Sequence, residues 1–208
     1  MSSRISGLYA ITPDGLTAED LMLRVAACLQ GGANIIQYRD KSSGSQQKLE
    51  NATRLRDLCV QYNALFIVND DVLLAKKVAA NGVHIGKNDS AYKKARDSLG
   101  SEAIVGVSCY AQLDQALEYQ GQGVDYVAFG RFFPSKTKPN ASPADLPLLH
   151  RAKLQLTVPI VAIGGITEEN APGLIMAGAD AVAVIDALFN RPNIESRARG
   201  FQRLFANQ

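Results

Sequence analysis

The sequence predicts an α/β protein, a single closed (β/α)8 barrel (TIM barrel) over residues 1–208, and three observations carry that prediction. Short apolar or β-branched runs recur near 7 to 11, 33 to 37, 65 to 68, 82 to 85, 103 to 107, 125 to 129, 159 to 163 and 180 to 185, as strands buried on both faces of a parallel sheet do. Segments with helical spacing of apolar residues lie between them. These strand-then-helix units fill 208 residues with no Pro/Ser-rich linker and no remainder for a second domain, which favours the barrel over an open doubly wound sheet.

The helical segments follow in order. Leu21, Val25 and Cys28 share a stripe after the first run, then Leu55, Leu58 and Val60, then Leu73, Leu74 and Val78. Further along come Leu113 and Leu117, Leu148 and Leu149, and Leu174 and Ile175. Asp20, Thr167 and Asn170 are expected to start helices, and Gly31-Gly32, Gly82 and Gly178 to end them. The last segment puts Ile194, Ala198, Phe201, Leu204 and Phe205 on one face, as an outer helix docked on a core requires.

Composition narrows the function classes. With 47% hydrophobic and 20% charged residues the chain can bury a substantial core. The formal charge is +2 and Lys and Arg are dispersed, so neither nucleic acid nor a membrane surface is an expected partner. Cys28, Cys59 and Cys109 are too few and too scattered for a disulfide framework or a metal pair, which points to a reducing, cytoplasmic setting. The N-terminal residues enter a strand-like run almost at once, so neither export nor membrane insertion is expected.

In a barrel of this kind chemistry sits where the strands end. The second run finishes Gln37-Tyr38-Arg39-Asp40-Lys41, and strand alternation sends Gln37, Arg39 and Lys41 one way and Tyr38 and Asp40 the other. An Arg fork and a mobile Lys suit a phosphate or diphosphate; they equally suit a solvated loop with Asp40 as ion-pair partner. The third run leads into Asn69, Asp70 and Asp71, and the fourth into Lys87, Asn88 and Asp89. Carboxylates from neighbouring strands suit Mg2+, whereas a carboxylate at a helix start suits a cap. Capping is assigned to Asp71, and metal binding to Asp70 and Asp89. His84 and His150 are read as packing or surface residues, because no ligand-spaced partner stands near either. Ser108 is read as a hydrogen-bonding group, since neither it nor Cys109 has a recognisable base.

After the sixth run, residues 130–143 are polar and proline-marked, with Ser135, Thr137 and Lys138 at the centre. Such a loop could close over an anion or be an ordinary surface connection. The seventh run meets Gly164-Gly165 and the eighth Asp186. Those two loops form the recurring phosphate site of the fold, although Asp186 would repel a phosphate unless its side chain turned away.

Taken together, "QYRDK", "VNDD", "GVHIGKND", "GVSCY", "FGRFFPSKTKP", "AIGGI" and "AVAVIDALF" resemble the thiamine phosphate synthase family, in this order and from Gly7 to Phe189. The resemblance implies a transferase that joins an aminopyrimidine methyl diphosphate to a thiazole ethyl phosphate, with Mg2+ as cofactor and small molecules as partners; a homo-oligomer is compatible with it. It assigns Gln37, Arg39, Lys41 and Asn69 to the pyrimidine diphosphate, Asp70 and Asp89 to the metal, and Ser108 to the pyrimidine. Ser135 and Thr137 go to the thiazole phosphate loop, Lys138 to the diphosphate, and Gly165, Ile185 and Asp186 to the thiazole phosphate. Arg39, Lys41 and Lys138 are the implied catalytic cations. Relatives often carry His where Tyr110 stands and Ser or His where Asp186 stands. Tyr110 counts against the sibling thiazole tautomerase, which resembles this chain in fold but calls for an imidazole there. A non-catalytic barrel that binds thiazole phosphate is the reading from another class.

Overall fold

The computed structural model describes residues 5–86, 89–134 and 143–206, without the side chains of 89–91. Eight parallel strands close into a barrel in chain order: β1 Gly7–Ile11, β2 Ile35–Tyr38, β3 Leu65–Asn69, β4 Gly82–Ile85, β5 Ile104–Tyr110, β6 Tyr126–Phe129, β7 Ile160–Ile163 and β8 Ala181–Val184. Around them run α1 Ala18–Gln30, α2 Ser45–Gln61, α3 Val72–Lys77, α4 Asp89–Leu99, α5 Leu113–Gln122, α6 Leu146–Gln155, α7 Ala171–Met176, α8 Asp186–Phe189 and α9 Ile194–Arg203.

Strand alternation divides the buried residues into two clusters. Tyr9, Ile11, Ile35, Ile67, Ile104, Tyr126, Val161 and Ala183 point into the barrel. Leu8, Ala10, Ile36, Tyr38, Val83, Val105 and Val127 point outward against the helices, so every strand is covered on both faces. Each large side chain buried in this way contributes about 1.5–3 kcal/mol, and a one-residue slip would exchange the two sets.

Local chemistry fixes the helix starts. Thr17 caps α1, its side chain accepting from the Asp20 N–H at 3.2 Å; Asp20 is thus a first-turn acid, favourable to the helix dipole, and not the cap that the sequence suggested. Asp71 caps α3 as expected, accepting from the Leu74 N–H at 2.9 Å, and Asp145 does the same for α6. Gly82, expected to close a helix, lies inside β4, where the Ile104 carbonyl leaves no room for a Cβ. Val60 and Leu73 are 68% and 69% exposed, so the apolar stripes of α2 and α3 are narrower than their sequences imply.

Candidate functional site

At the C-terminal ends of the strands a cavity of about 580 Å³ opens into the barrel. Gln37, Arg39, Lys41, Asn69, Asp70, Ser108, Gly165, Ile185 and Asp186 all line it. Asp89 contributes the backbone that opens α4, but its side chain, like Ser135, Thr137 and Lys138, lies outside the described residues.

The end of β2 is built as its alternation predicts. Gln37 faces the barrel interior, 3% exposed, while Tyr38 turns out and donates to Asp40 Oδ2 at 2.9 Å. The Thr12 hydroxyl clamps the next residue by donating to the Arg39 carbonyl and accepting its N–H, at 3.1 and 2.9 Å. The ion-pair partner of Arg39 is Asp14, which also accepts the Lys41 N–H at 2.7 Å. Asp40, the partner considered from sequence, instead accepts the N–H groups of Ser42 and Ser43, each at 2.9 Å. Burial would raise the Asp40 carboxyl, but the Ser43 and Ser42 bonds together with the Tyr38 hydroxyl outweigh it and hold it well below the usual carboxylate range.

Asp70 stands beyond β3 with φ 60, an uncommon backbone for a residue with a Cβ. Its carboxylate is exposed and held from two sides, by the Asn69 amide at 2.8 Å and the Gly86 N–H at 3.2 Å. Those bonds aim oxygens at the rim without neutralising them, which leaves a hard-donor position for a divalent ion.

At the opposite rim Gly164 and Gly165 have φ 108 and 63, and the segment after β6 passes over them. A Cβ on Gly165 would lie 2.4 Å from the Pro134 carbonyl oxygen. The glycine pair therefore has a packing cause independent of any phosphate. Asp186 opens α8, and its Oδ1 accepts from the Asn190 amide at 2.7 Å, one turn along. The side chain is thus occupied within its own helix; the Leu188 and Phe189 N–H groups bond to the Ile185 carbonyl, and those of Asp186 and Ala187 precede the first bond of the helix.

The floor was not legible from sequence. Gln37 Nε2 donates to the Tyr9 hydroxyl at 2.8 Å, and the hydroxyls of Tyr9 and Tyr126 meet at 2.8 Å. Tyr126 and His84 Nδ1 are 3.0 Å apart, and His84 Nε2 and Ser108 Oγ 2.9 Å. Burial raises both phenols well above their ordinary value, so both stay protonated. His84, read from sequence as packing or surface, is a buried polar residue of the cavity wall, and Ser108 does have an imidazole beside it. Parallel register explains the meeting: His84 pairs with Gly106, which places Ser108 one pleat above it on the neighbouring strand. On the far side of His84, where a hydrolytic triad places a carboxylate, Nδ1 meets the Tyr126 hydroxyl.

A sequence model of the family described as "Thiamine monophosphate synthase" matches residues 8–188. The chain belongs to this family. It is 51% identical to the thiamine-phosphate synthase of Thioalkalivibrio sulfidiphilus over 97% of its own length and 96% of the relative's. It is likewise 51% identical to that of Alcanivorax borkumensis, over 97% and 95%. Among solved structures, thiamine phosphate pyrophosphorylase from Pyrococcus furiosus superposes with a TM-score of 0.87 at 31% identity, covering 99% of this chain and 98% of that one. A structure titled "Native KDPGal structure" matches with a TM-score of 0.76 at 17% identity over 96% and 94%, a likeness of fold alone.

Proposed function

We propose that the chain joins an aminopyrimidine methyl diphosphate to a thiazole ethyl phosphate, releasing pyrophosphate and forming thiamine phosphate. The observation that carries this reading is the convergence of Arg39, Lys41, Asn69 and Asp70 on one rim of a cavity whose floor holds Gln37 and Ser108. A volume of about 580 Å³ suits small-molecule substrates.

The residues divide the work by charge. Arg39, pre-oriented by Asp14, and Lys41 stabilise negative charge on the departing diphosphate. Gln37 and Ser108 hold the pyrimidine so that its methyl carbon, electron-poor as the leaving group departs, faces the thiazole nitrogen. Lys138, Ser135 and Thr137, matched through the family, complete the phosphate contacts, and Gly165, Ile185 and Asp186 supply backbone to the thiazole phosphate. Enclosure matters because water competes for the same carbon.

Mg2+ fits the donor chemistry: Asp70 offers carboxylate oxygen at the rim, Asp89 is the family-matched second ligand, and water and substrate phosphate complete such a shell. When bound, Mg2+ supplies further charge neutralisation for the leaving group. Cys28, Cys59 and Cys109 are free and buried, which suits a reducing cytoplasm.

The test is to incubate the purified chain with both phosphorylated halves and Mg2+. Thiamine phosphate and pyrophosphate should appear in equal amounts. Pyrophosphate without thiamine phosphate, or neither product, overturns the assignment.

A further inference from the structure

The hydrogen bonds across the barrel floor have a direction. Each phenol carries one proton. Tyr9 accepts from Gln37 Nε2, so the Tyr9 proton has Tyr126 as its acceptor, and the Tyr126 proton then goes to His84 Nδ1. The imidazole is left with its proton on Nε2, from which it donates to Ser108 Oγ, and the Ser108 proton is free for the cavity. With the Gln37 amide in this orientation, the opposite order strands the Tyr9 proton, because that hydroxyl has no third partner among the described residues and the residue is 1% exposed. Buried donors left unpaired are strongly disfavoured.

The fold reserves space for this chain of bonds. A Cβ on Gly106 would lie 2.0 Å from Tyr126 Cζ, so only glycine at that position lets the Tyr126 ring cross the floor. The ring then stacks on His84, with centroids 5.6 Å apart at 24°, and meets Tyr9 edge-on at 6.0 Å. The two ends come out unlike. Gln37 gives one Nε2 proton to Tyr9, which fixes the amide plane and leaves Oε1 as its acceptor, and Ser108 has a donor. An aminopyrimidine offers the complement, an exocyclic amino donor and a ring-nitrogen acceptor, whereas its oxo analogue offers the reverse.

We propose that Tyr9, Tyr126 and His84 are positioning residues that lock Gln37 as acceptor and Ser108 as donor, and thereby select an aminopyrimidine over its oxo analogue. This rests on the pyrimidine reading of the site.

Two measurements test it. The chain has two histidines, so His150→Gln leaves His84 as a single ¹⁵N-histidine signal in the intact protein without substrate. The neutral Nε2–H tautomer is expected at mildly alkaline pH; an Nδ1–H tautomer or an imidazolium there overturns the direction whatever the enzyme catalyses. The second is calorimetric binding of the aminopyrimidine methyl diphosphate and its oxo counterpart, without thiazole phosphate or Mg2+. The parent should prefer the amino compound by at least about a hundredfold, as expected of a site built to hydrogen-bond its ligand, and Tyr126→Phe should narrow that ratio by about tenfold. An unchanged ratio removes the relay and leaves the reaction standing; failure of the amino compound to bind the parent removes both.

Discussion

Replacing Asp14 is the perturbation whose size the geometry allows to be worked out. Its carboxylate holds the Arg39 guanidinium and accepts the Lys41 N–H at 2.7 Å, so one side chain orients the Arg39 cation and fixes the backbone that carries Lys41. The Arg39 and Asp14 side chains are 17% and 37% exposed, and a pair that accessible is worth about 1 kcal/mol. The charged acceptor on the Lys41 N–H adds about 1.5 kcal/mol. Losing both in Asp14→Ala removes about 2.5 kcal/mol of preorganisation, or about seventyfold in kcat/KM for the pyrimidine diphosphate at saturating thiazole phosphate. Asp14→Asn keeps an acceptor for the N–H and should lose about fivefold. Because Asp14 is negative beside an anionic substrate, the opposing possibility is concrete: if its main effect were repulsion, both variants would be faster. Steady-state kinetics decides. An Asp14→Ala enzyme at or above the parental rate, or a loss confined to the KM of the thiazole phosphate, refutes the reasoning.

Other outcomes follow from the same geometry. Gly165→Ala places a Cβ at φ 63 and 2.4 Å from the Pro134 carbonyl oxygen, so it should lower the melting temperature by several degrees, through backbone strain of about 1–2 kcal/mol plus the steric overlap; an unshifted melt contradicts the packing account of the glycine pair. The folded Asp40 carboxyl sits below its unfolded value, so its stabilising contribution is present above about pH 4 and is lost as pH falls from there. Urea midpoints measured downward from pH 5 should therefore decline less in Asp40→Asn than in the parent, and parallel curves would exclude the effect. Burial pushes the Cys59 and Cys109 thiols up to about 12, so the native protein should resist thiol reagents at neutral pH; rapid labelling without unfolding would show these sites to be open.

How far the sequence could be read depended on the range of the physics involved. Parity along a strand is local, so "QYRDK" alone separates Gln37, Arg39 and Lys41 from Tyr38 and Asp40, while which set faces the barrel is seen only in the fold. The caps at Asp71 and Thr17 are local too, although the latter was displaced onto Asp20, three residues on. The meeting of His84 with Ser108 and Tyr126 is not local: it depends on the register of three neighbouring strands and on the absence of a side chain at Gly106. Tyr9 and Tyr126 sit in apolar runs and look like core until their hydroxyls are seen to touch. Asp14 was hidden for another reason, since Thr12-Pro13-Asp14-Gly15 reads as turn chemistry and nothing in it names Arg39 as partner. Asp186 turns its carboxylate to the Asn190 amide, within a four-residue helix too short to announce itself by periodicity.

The role of the rim cations can be measured directly by following pyrophosphate release in a rapid-quench single turnover of Arg39→Gln with both substrates saturating. If Arg39 carries charge off the pyrimidine with the leaving group, that release should slow by about a hundredfold or more, with thiamine phosphate appearing in step with it. Release at the parental rate would contradict the account at its centre.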